Sequence, residues 1–468
     1  MKSISKTSYV DGLQCMKTLW LKTFKSGVAT PRDKATQEKF DAGHEVGGLA
    51  KLYFGVKDAH DIKIDHDNRS KSIPLAIQKT KQLIASQAPN IAEATFVTND
   101  TFCSVDILRV YPNGEVDIVE VKSTTSVKPQ HYDDVAFQYY VLTKNGYKVN
   151  KAYLMHLNNQ YVRQGDLDIQ QLFTLVDITE NAKNLQSKVC SNIPTFLIYS
   201  RQFEEPSMPV GKHCSNPYPC KFYEYCWKDI EVLPKQFDDN KDVEMIQEFL
   251  NTLSYPLYFL DFETYQVVVP PYDNCRPYQQ IPFQYSLHIA EKPVGARHAS
   301  PLRHTEFLAE NILTDPRRAL AEQLCNDIPR NACVVAYNMT FEKGVIKEMA
   351  NVFVDLEEHL MSIHDNMKDL MKPFRISFGK HVGAFYCQDM QGSYSIKYVL
   401  PALCPDMADA YEKLPLIRSG DDAMTIFPTL HLQTSEEQKK IRQGLLEYCK
   451  LDTFAMVKVL EKVQEMVN

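Results

Sequence analysis

Hydrophobic and polar positions alternate in steps of two through Ser104 to Tyr111 and again through Glu115 to Lys122. That period predicts two strands, at 104–111 and 115–122, with a third near 92–98. Pro112-Asn113-Gly114 between the last two predicts a hairpin turn. Helical spacing is read over Thr7 to Leu21, over 72–88 (stopped by Pro89) and over 131–144. The stretch 204–224 is too rich in proline and cysteine for regular structure, and 228–254 reads as a linker with a lead-in helix. A second α/β pattern starts at Leu257. It has a strand, a loop with Pro270, Pro271 and Pro277, a strand at 283–290, a helix at 316–327, a strand at 332–337 and a mostly helical remainder. The expectation is α/β with two domains, 1–235 and 255–468, joined through 236–254.

At 468 residues the chain is too long for one ordinary core, which agrees with two domains. Hydrophobic residues at 44% and charged residues at 24% are those of a folded protein. No apolar run is long enough to span a bilayer and no signal peptide is read, so a cytoplasmic protein without membrane contact is expected. The net charge is −7, unevenly divided: residues 1–235 carry 29 Lys and Arg against 26 Asp and Glu, the remainder 23 against 33. Such a balance argues against a broad basic face and leaves nucleic-acid affinity to bound cations and a local groove.

With paired positions summing to 226, the hairpin sets Asp106 opposite Glu120 on an otherwise apolar face with Leu108, Val110, Val116 and Ile118. Facing carboxylates are costly unless a cation lies between them, and a divalent metal would serve. Lys122 follows on the same face, and Glu93 on the preceding strand offers a third carboxylate. Asp106 followed by Glu120-Val121-Lys122 resembles the PD-(D/E)xK nuclease core. The resemblance implies a restriction-endonuclease-like fold in which Asp106 and Glu120 bind metal and Lys122 assists. Gln138 resembles the helix glutamine of the RecB-like branch. Leu142 replaces the Tyr usual four residues later, and the metal-binding His of many relatives would fall on Gly47; His44, nearby but out of register, is read as structural.

Cys214, Cys220 and Cys226 are evenly spaced among prolines and aromatics, as in a cluster-binding loop, and Cys15 is the choice for a fourth thiolate. One Cys before the nuclease core and three after it resemble RecB-like nucleases with an iron–sulfur staple. That implies a 4Fe–4S cluster clamping the start of the chain to the end of the domain, with zinc as the lesser alternative. The gap of five residues between Cys214 and Cys220 is longer than in those relatives.

Asp261 and Glu263, two apart at the end of an apolar strand, share one face. Asn338 and Glu342 follow another apolar strand, and Tyr448 and Asp452 are four apart on a helix. Acidic groups in this order suit a two-metal phosphodiester site, with Tyr448 placed to orient or deprotonate a water. The set resembles the DEDD exonucleases of the DnaQ-like, RNase H-type fold, with Glu342 where Asp is customary. The resemblance implies 3′→5′ exonuclease activity, with Asp261, Glu263, Glu342 and Asp452 as metal ligands and Asn338 positioning substrate. Lys397, after a helix start capped by Ser393 or Ser395, is read as a solvated lysine within reach of a phosphate. Gln284 and His288 are read as a buried polar pair.

Over nearly its whole length the chain resembles a bacterial family fusing an iron–sulfur RecB-like domain to a DnaQ-like exonuclease domain. The function expected is a nuclease using Mg²⁺ or Mn²⁺ at both centres and acting on single-stranded DNA or DNA ends. RNA processing, or a nucleic-acid end-binding module with one degenerate centre, are the alternatives.

Overall fold

The protein is described by a computed structural model over residues 3–31, 34–65, 67–230, 237–292, 301–377 and 380–467. It is mixed α/β and divides into two compact units, Met1–Glu231 with Val267–Tyr278, and Val232–Gln266 with Gln279–Asn468. No helix among the described residues is long and apolar enough to cross a membrane.

The first unit begins with β1 (Ile4–Ser5), α1 (Lys6–Gln14), α2 (Lys17–Phe24), α3 (Lys34–Tyr53) and α4 (Arg69–Ala85). Strands β2 (Asn90–Val97), β3 (Thr101–Val110) and β4 (Glu115–Lys122) follow, then α5 (Pro129–Lys144) and β5 (Lys148–Leu157). The unit continues through α6 (Ile169–Leu172), β6 (Phe173–Asp177), α7 (Thr179–Asn184), α8 (Gln186–Arg201) and α9 (Tyr223–Trp227). The hairpin register is the one read from the sequence: Ile107 pairs Val119 and Val110 pairs Val116. β4 and β5 run parallel across α5, so β4 is an inner strand and must bury both faces. Its residues divide by parity: Val116 and Ile118 join Leu108, Val135 and Val141 in one core, while Val119 joins Ile107, Met155, Val46 and Ala50 in the other. Glu120 therefore points toward α5.

The single helix expected over 7–21 is broken at Cys15, whose extended backbone (φ −160°, ψ 117°) separates α1 from α2. The cause is tertiary. Gln14 Nε2 donates to the carbonyls of His213 and Tyr218, both at 2.7 Å, and Trp20 and Leu21 pack on Phe222. Val267–Tyr278 completes this unit, with Arg163 donating to the carbonyls of Pro270 and Pro271 at 2.9 and 3.0 Å.

The second unit opens with β7 (Asn240–Lys241) and α10 (Val243–Leu250), which asks for a correction to the linker: Phe237, Ile246 and Phe249 are packed into this unit's core. The sheet holds β8 (Leu257–Tyr265), β9 (Ile281–Ala290), β10 (Arg303–Leu308), β11 (Cys333–Ala336) and β12 (Met367–Asp369) in the order β10-β9-β8-β11-β12. β8 to β10 are antiparallel, whereas β11 lies parallel to β8 and to β12. On one face pack α11 (Arg317–Asp327), α12 (Thr340–Val352) and α13 (Glu357–Asp365), against Tyr258, Leu260 and Phe262. On the other, Leu257 and Phe259 meet α14 (Ile396–Leu403) and the long α16 (Ser435–Glu465), with α15 (Gly420–Ile426) between them in sequence. Asp261 and Glu263 continue the odd-numbered face of β8, the one α16 covers. The expected strand and helix segments are present; β10 and β12 lie in or near stretches read as loop or helix.

Candidate active sites

In the second unit Asp261 and Glu263 arrive from β8, Glu342 from the first turn of α12, and Asp452 from α16. β11 pairs with the first half of β8, Cys333 to Val335 against Leu257 to Phe259, and ends at Ala336, so Asp261 and Glu263 lie on the stretch of β8 that runs on past the end of β11. Glu263, Glu342 and Asp452 are buried, and no Lys or Arg forms an ion pair with any of the four among the described residues. Glu342 Oε2 is buried without a hydrogen-bond partner. Burial first, then repulsion from neighbouring carboxylates, raises Asp261, Glu263 and Glu342 above their ordinary range; burial alone raises Asp452, to about 6, against the opposing pull of Tyr411, Tyr448 and Lys397. Buried like charges in this state call for cations.

Four further residues belong to this cluster. Cys449 Sγ lies 3.7 Å from Asp261 Oδ2, and Asp261, Glu263 and Cys449 each offer a ligand atom within 4.8 Å of the others. Tyr411 donates to Asp452 Oδ1 at 2.5 Å, and Tyr448 donates to Asp452 as well. Lys397 Nζ donates to the Arg418 carbonyl at 3.1 Å and lies over the rings of Tyr411 and Tyr448, at 5.4 and 5.8 Å. It is exposed, as expected of a solvated lysine, but it is also the cation whose field reaches Glu263 and Asp452. Burial and three neighbouring carboxylates push the Tyr448 phenol far above its usual range. Beside unneutralised carboxylates it keeps its proton and donates to Asp452.

Asn338 lies at the turn that leads into α12. It takes the left-handed backbone (φ 68°) that Asn tolerates better than most residues, and its N–H donates to Asp369 Oδ1 at 3.1 Å. This turn launches α12 and so positions Glu342; Asn338 itself is exposed and none of its hydrogen bonds reaches the four carboxylates. Gln284 donates to the Leu445 carbonyl at 2.8 Å, and Ser286 and His288 both meet Thr453 Oγ1 at 2.8 Å. This buried polar row pins the rotation of α16, which turns Tyr448 and Asp452 toward Asp261.

In the first unit the β3–β4 ladder ends at Ile107 and Val119. Asp106 then takes over with its side chain: Oδ2 accepts from Val121 N–H at 2.8 Å. Glu120 is buried and accepts from Gln138 Nε2 at 2.6 Å and from Lys122 Nζ at 2.8 Å. Lys122 also reaches Asp134, one turn before Gln138, at 2.5 Å. The cation between Asp106 and Glu120 comes from the chain itself. Lys6 Nζ stands 2.9 Å from both Glu120 oxygens and 3.6 Å from Asp106 Oδ1.

The topology explains how Lys6 arrives there. β1 pairs parallel with the start of β3, Ser5 against Phe102, on the edge opposite β2, and so runs head-on toward the end of β4. A sequence reading had no signal for so short a strand. Burial, with Lys122 and Lys6 opposing it, leaves Glu120 held well below its ordinary range, whereas burial and Glu120 raise Asp106 to about 6. Glu93, at φ 56° within β2, is raised to about 7 by burial and by Asp106. It thus stands beside Asp106 as a third carboxylate.

Cys15, Cys214, Cys220 and Cys226 line one small pocket with Thr18 and His213, all four as free thiols. Cys220 N–H donates to the Cys214 carbonyl at 2.8 Å, folding the five-residue gap into a compact turn. Burial raises the Cys220 and Cys226 thiols, each facing the other cysteines of the set. Thiols gathered this way fit a thiolate-bound metal or cluster.

A domain of unknown function, DUF2779, matches residues 258–395, a segment that contains Asp261, Glu263, Asn338 and Glu342. An uncharacterised Mycoplasma pneumoniae protein, a homologue of MG366, is 24% identical over 280 residues, 55% of this chain and 39% of its own length. MG366 of Mycoplasma genitalium is 25% identical over 234 residues, 47% and 33% of the two lengths, and the uncharacterised UU173 of Ureaplasma parvum 25% over 242 residues, again 47% and 33%. The chain spans about a third to two fifths of the length of these relatives.

Proposed function

We propose that the chain is a metal-dependent nuclease with one centre in each unit. The observation that carries this reading is the set of four carboxylates in the second unit, brought together from three elements, mostly buried and without a Lys or Arg ion pair among the described residues. Asp261, Glu263, Glu342 and Asp452 are oxygen donors suited to Mg²⁺ or Mn²⁺. Divalent cations held there supply charge to phosphodiester oxygens and lower the pKa of an attacking water. Tyr448 and Tyr411 hold Asp452 in place, and Lys397 at the rim suits a substrate phosphate. This unit is read as an RNase H-like, DnaQ-type 3′→5′ exonuclease.

The first unit is read as a restriction-endonuclease-like, RecB-type domain. Asp106, Glu120 and Glu93 would hold its metal, and Gln138 and Lys122 fix the Glu120 carboxylate. The cysteine pocket would take a 4Fe–4S cluster, zinc being the alternative. Single-stranded DNA or DNA ends are the proposed substrate, RNA the alternative, and the cytoplasm the proposed site of action. The ammonium of Lys6 between Asp106 and Glu120 supports a second reading, in which this centre binds strands without cutting them.

The test is digestion of 5′- and 3′-labelled single-stranded and duplex DNA and RNA with Mg²⁺, Mn²⁺ or EDTA. Wild type should give a metal-dependent ladder receding from the 3′ end, lost in Asp261→Ala. Binding without cleavage under every metal would exclude the enzyme. Residual cutting that disappears in Lys122→Ala would assign activity to the first unit.

A further inference from the structure

The two lysines of the first centre are not equivalent. Lys122 is held by Glu120 and independently by Asp134, so it keeps an anionic partner whatever happens between Asp106 and Glu120. Among the described residues, the ion pairs of Lys6 are with the two carboxylates that a divalent cation would take, Glu120 at 2.9 Å and Asp106 at 3.6 Å. A dication and an ammonium cannot share that space, because like charges at contact distance repel strongly in a buried site. Lys6 also has somewhere to go. Its side chain is 23% exposed and lines a cavity of about 960 Å³ whose wall includes Glu93 and Asp106.

That cavity also carries Lys22, Lys51, Lys63 and Arg69. Asp11 pairs Lys22, and Asp61 pairs Lys51 and Lys63, but Arg69 has no acidic partner among the described residues. Serines 3, 5, 8 and 104 add hydroxyl donors. A wall of cations and hydroxyls next to a carboxylate pair suits a phosphodiester strand.

Resting on the reading of this centre as metal-dependent, we propose that Lys6 is an internal stand-in for the metal and becomes a phosphate-binding residue once the metal arrives. A divalent cation entering between Asp106 and Glu120 displaces the Lys6 ammonium into the cavity, where it meets a phosphate of the bound strand. The stand-in keeps Glu120 neutralised before loading. Metal and strand then bind cooperatively, because the displaced lysine needs an anion and the strand supplies it.

The experiment uses the full chain carrying Asp261→Ala, so that the other carboxylate cluster is impaired. Acetylation of Lys6 by an amine reagent is followed by mass spectrometry in EDTA, in Mn²⁺, and in Mn²⁺ with a non-hydrolysable phosphorothioate oligonucleotide. Labelling should rise several-fold with Mn²⁺ and fall again when the oligonucleotide is added. In parallel, Mn²⁺ binding by electron paramagnetic resonance should tighten about tenfold in Lys6→Met, as the loss of a charged hydrogen-bonded competitor implies, and stay near the parent value in Lys6→Arg. Oligonucleotide affinity in Mn²⁺ should fall several-fold in Lys6→Met.

Mn²⁺ bound at Asp106 and Glu120 with unchanged Lys6 labelling and unchanged affinity in Lys6→Met would overturn the proposal while leaving the metal centre standing. Failure of both the parent and Lys6→Met to bind Mn²⁺ in a manner sensitive to Glu120→Gln would overturn the metal reading itself, and the proposal with it. The labelling arm needs no substitution at Lys6, so it decides the matter even if Lys6→Met does not fold.

Discussion

Cys449 Sγ lies 3.7 Å from Asp261 Oδ2, inside the carboxylate cluster of the second unit. Burial and three carboxylates raise this thiol well above its ordinary range, so it stays protonated beside oxygen-preferring ions. A thiophilic ion changes that, because thiolate is a far better ligand for Zn²⁺ than for Mg²⁺ or Mn²⁺. Zn²⁺ should therefore inhibit Mn²⁺-supported 3′-end degradation through Cys449. Titrating Zn²⁺ against wild type and Cys449→Ser should show about tenfold weaker inhibition in the variant, the size of a lost soft ligand. Equal potency would place Zn²⁺ inhibition elsewhere.

The same cluster trades stability for chemistry. Asp261, Glu263 and Asp452 repel one another, so neutralising one should relieve the others. Asp452→Asn should raise the metal-free melting temperature by about 2–6 °C, as one to two kcal/mol does in a domain of this size, while abolishing exonuclease activity. Mn²⁺ should then stabilise the variant much less than wild type. Differential scanning fluorimetry with and without EDTA reads both effects.

The raised carboxyls also set a pH dependence with a definite sign. Asp452 and Asp106 move from 3.8 to about 6 and Glu93 from 4.5 to about 7, so the folded protein binds these protons more tightly than the unfolded chain does. Their stabilising contribution is complete below about pH 4 and is lost as pH rises through 6 to 7. For Asp452 alone it amounts to on the order of 3 kcal/mol, at about 1.36 kcal/mol per pH unit. Glu120, lowered, acts oppositely, but only below its unfolded value of 4.5. Metal-free protein should lose stability between pH 5 and about 7.5, and saturating Mg²⁺ should flatten the curve because metal binds the ionised forms. A melting temperature that rises over this range in EDTA would contradict the assignment.

What the sequence made legible follows from how local each signal is. The β3–β4 hairpin carries its own turn and its own parity, so the pairing of Ile107 with Val119 was readable, and with it the approach of Asp106 to Glu120. The even and odd faces of β8 likewise put Asp261 and Glu263 together under α16. Lys6 was missed because a two-residue strand such as β1 has no period to read, and its place is fixed by pairing with residues about a hundred positions away. Tyr411 reaches Asp452 from an irregular segment, which no periodicity marks. Cys449 has no part in the sequence reading, although its place three residues before Asp452 on one helix puts the two side chains on one face. The break at Cys15 needed the partners of Gln14, which are distant in sequence.

Substitution at Gln138 should separate the two centres. Its amide donates to Glu120 Oε2 at 2.6 Å from a fully buried position on α5. Gln138→Leu keeps the volume but leaves that oxygen short of a donor, at a cost of about 1–3 kcal/mol. Cutting assigned to the first unit should drop by about tenfold or more, as expected when a group that orients a metal ligand is removed, while the 3′-end ladder persists. Assays with end-labelled single strands in the Asp261→Ala background isolate the first component, and wild-type background the second.

The cysteine pocket makes the sharpest compositional prediction. Cys15 is carried by the break between α1 and α2, and the other three cysteines by the segment after α8, so only a shared ligand gives all four thiols a common task. Gln14 also ties these segments through two backbone carbonyls, and Lys221 pairs with Asp11 at 3.1 Å. Protein purified anaerobically should be brown and contain about four iron and four sulfide per chain if the cluster is 4Fe–4S. Cys15→Ser should lose the colour and lower the melting temperature of the first unit, yet leave Mn²⁺-dependent 3′-end degradation by the second unit intact. A colourless protein with about one zinc per chain would make the site a tetrahedral thiolate centre with the same clamping role. Wild-type stability indifferent to both iron and zinc would remove the metal from this pocket and leave the clamp to Gln14, Lys221 and the packing of Trp20 and Leu21 on Phe222.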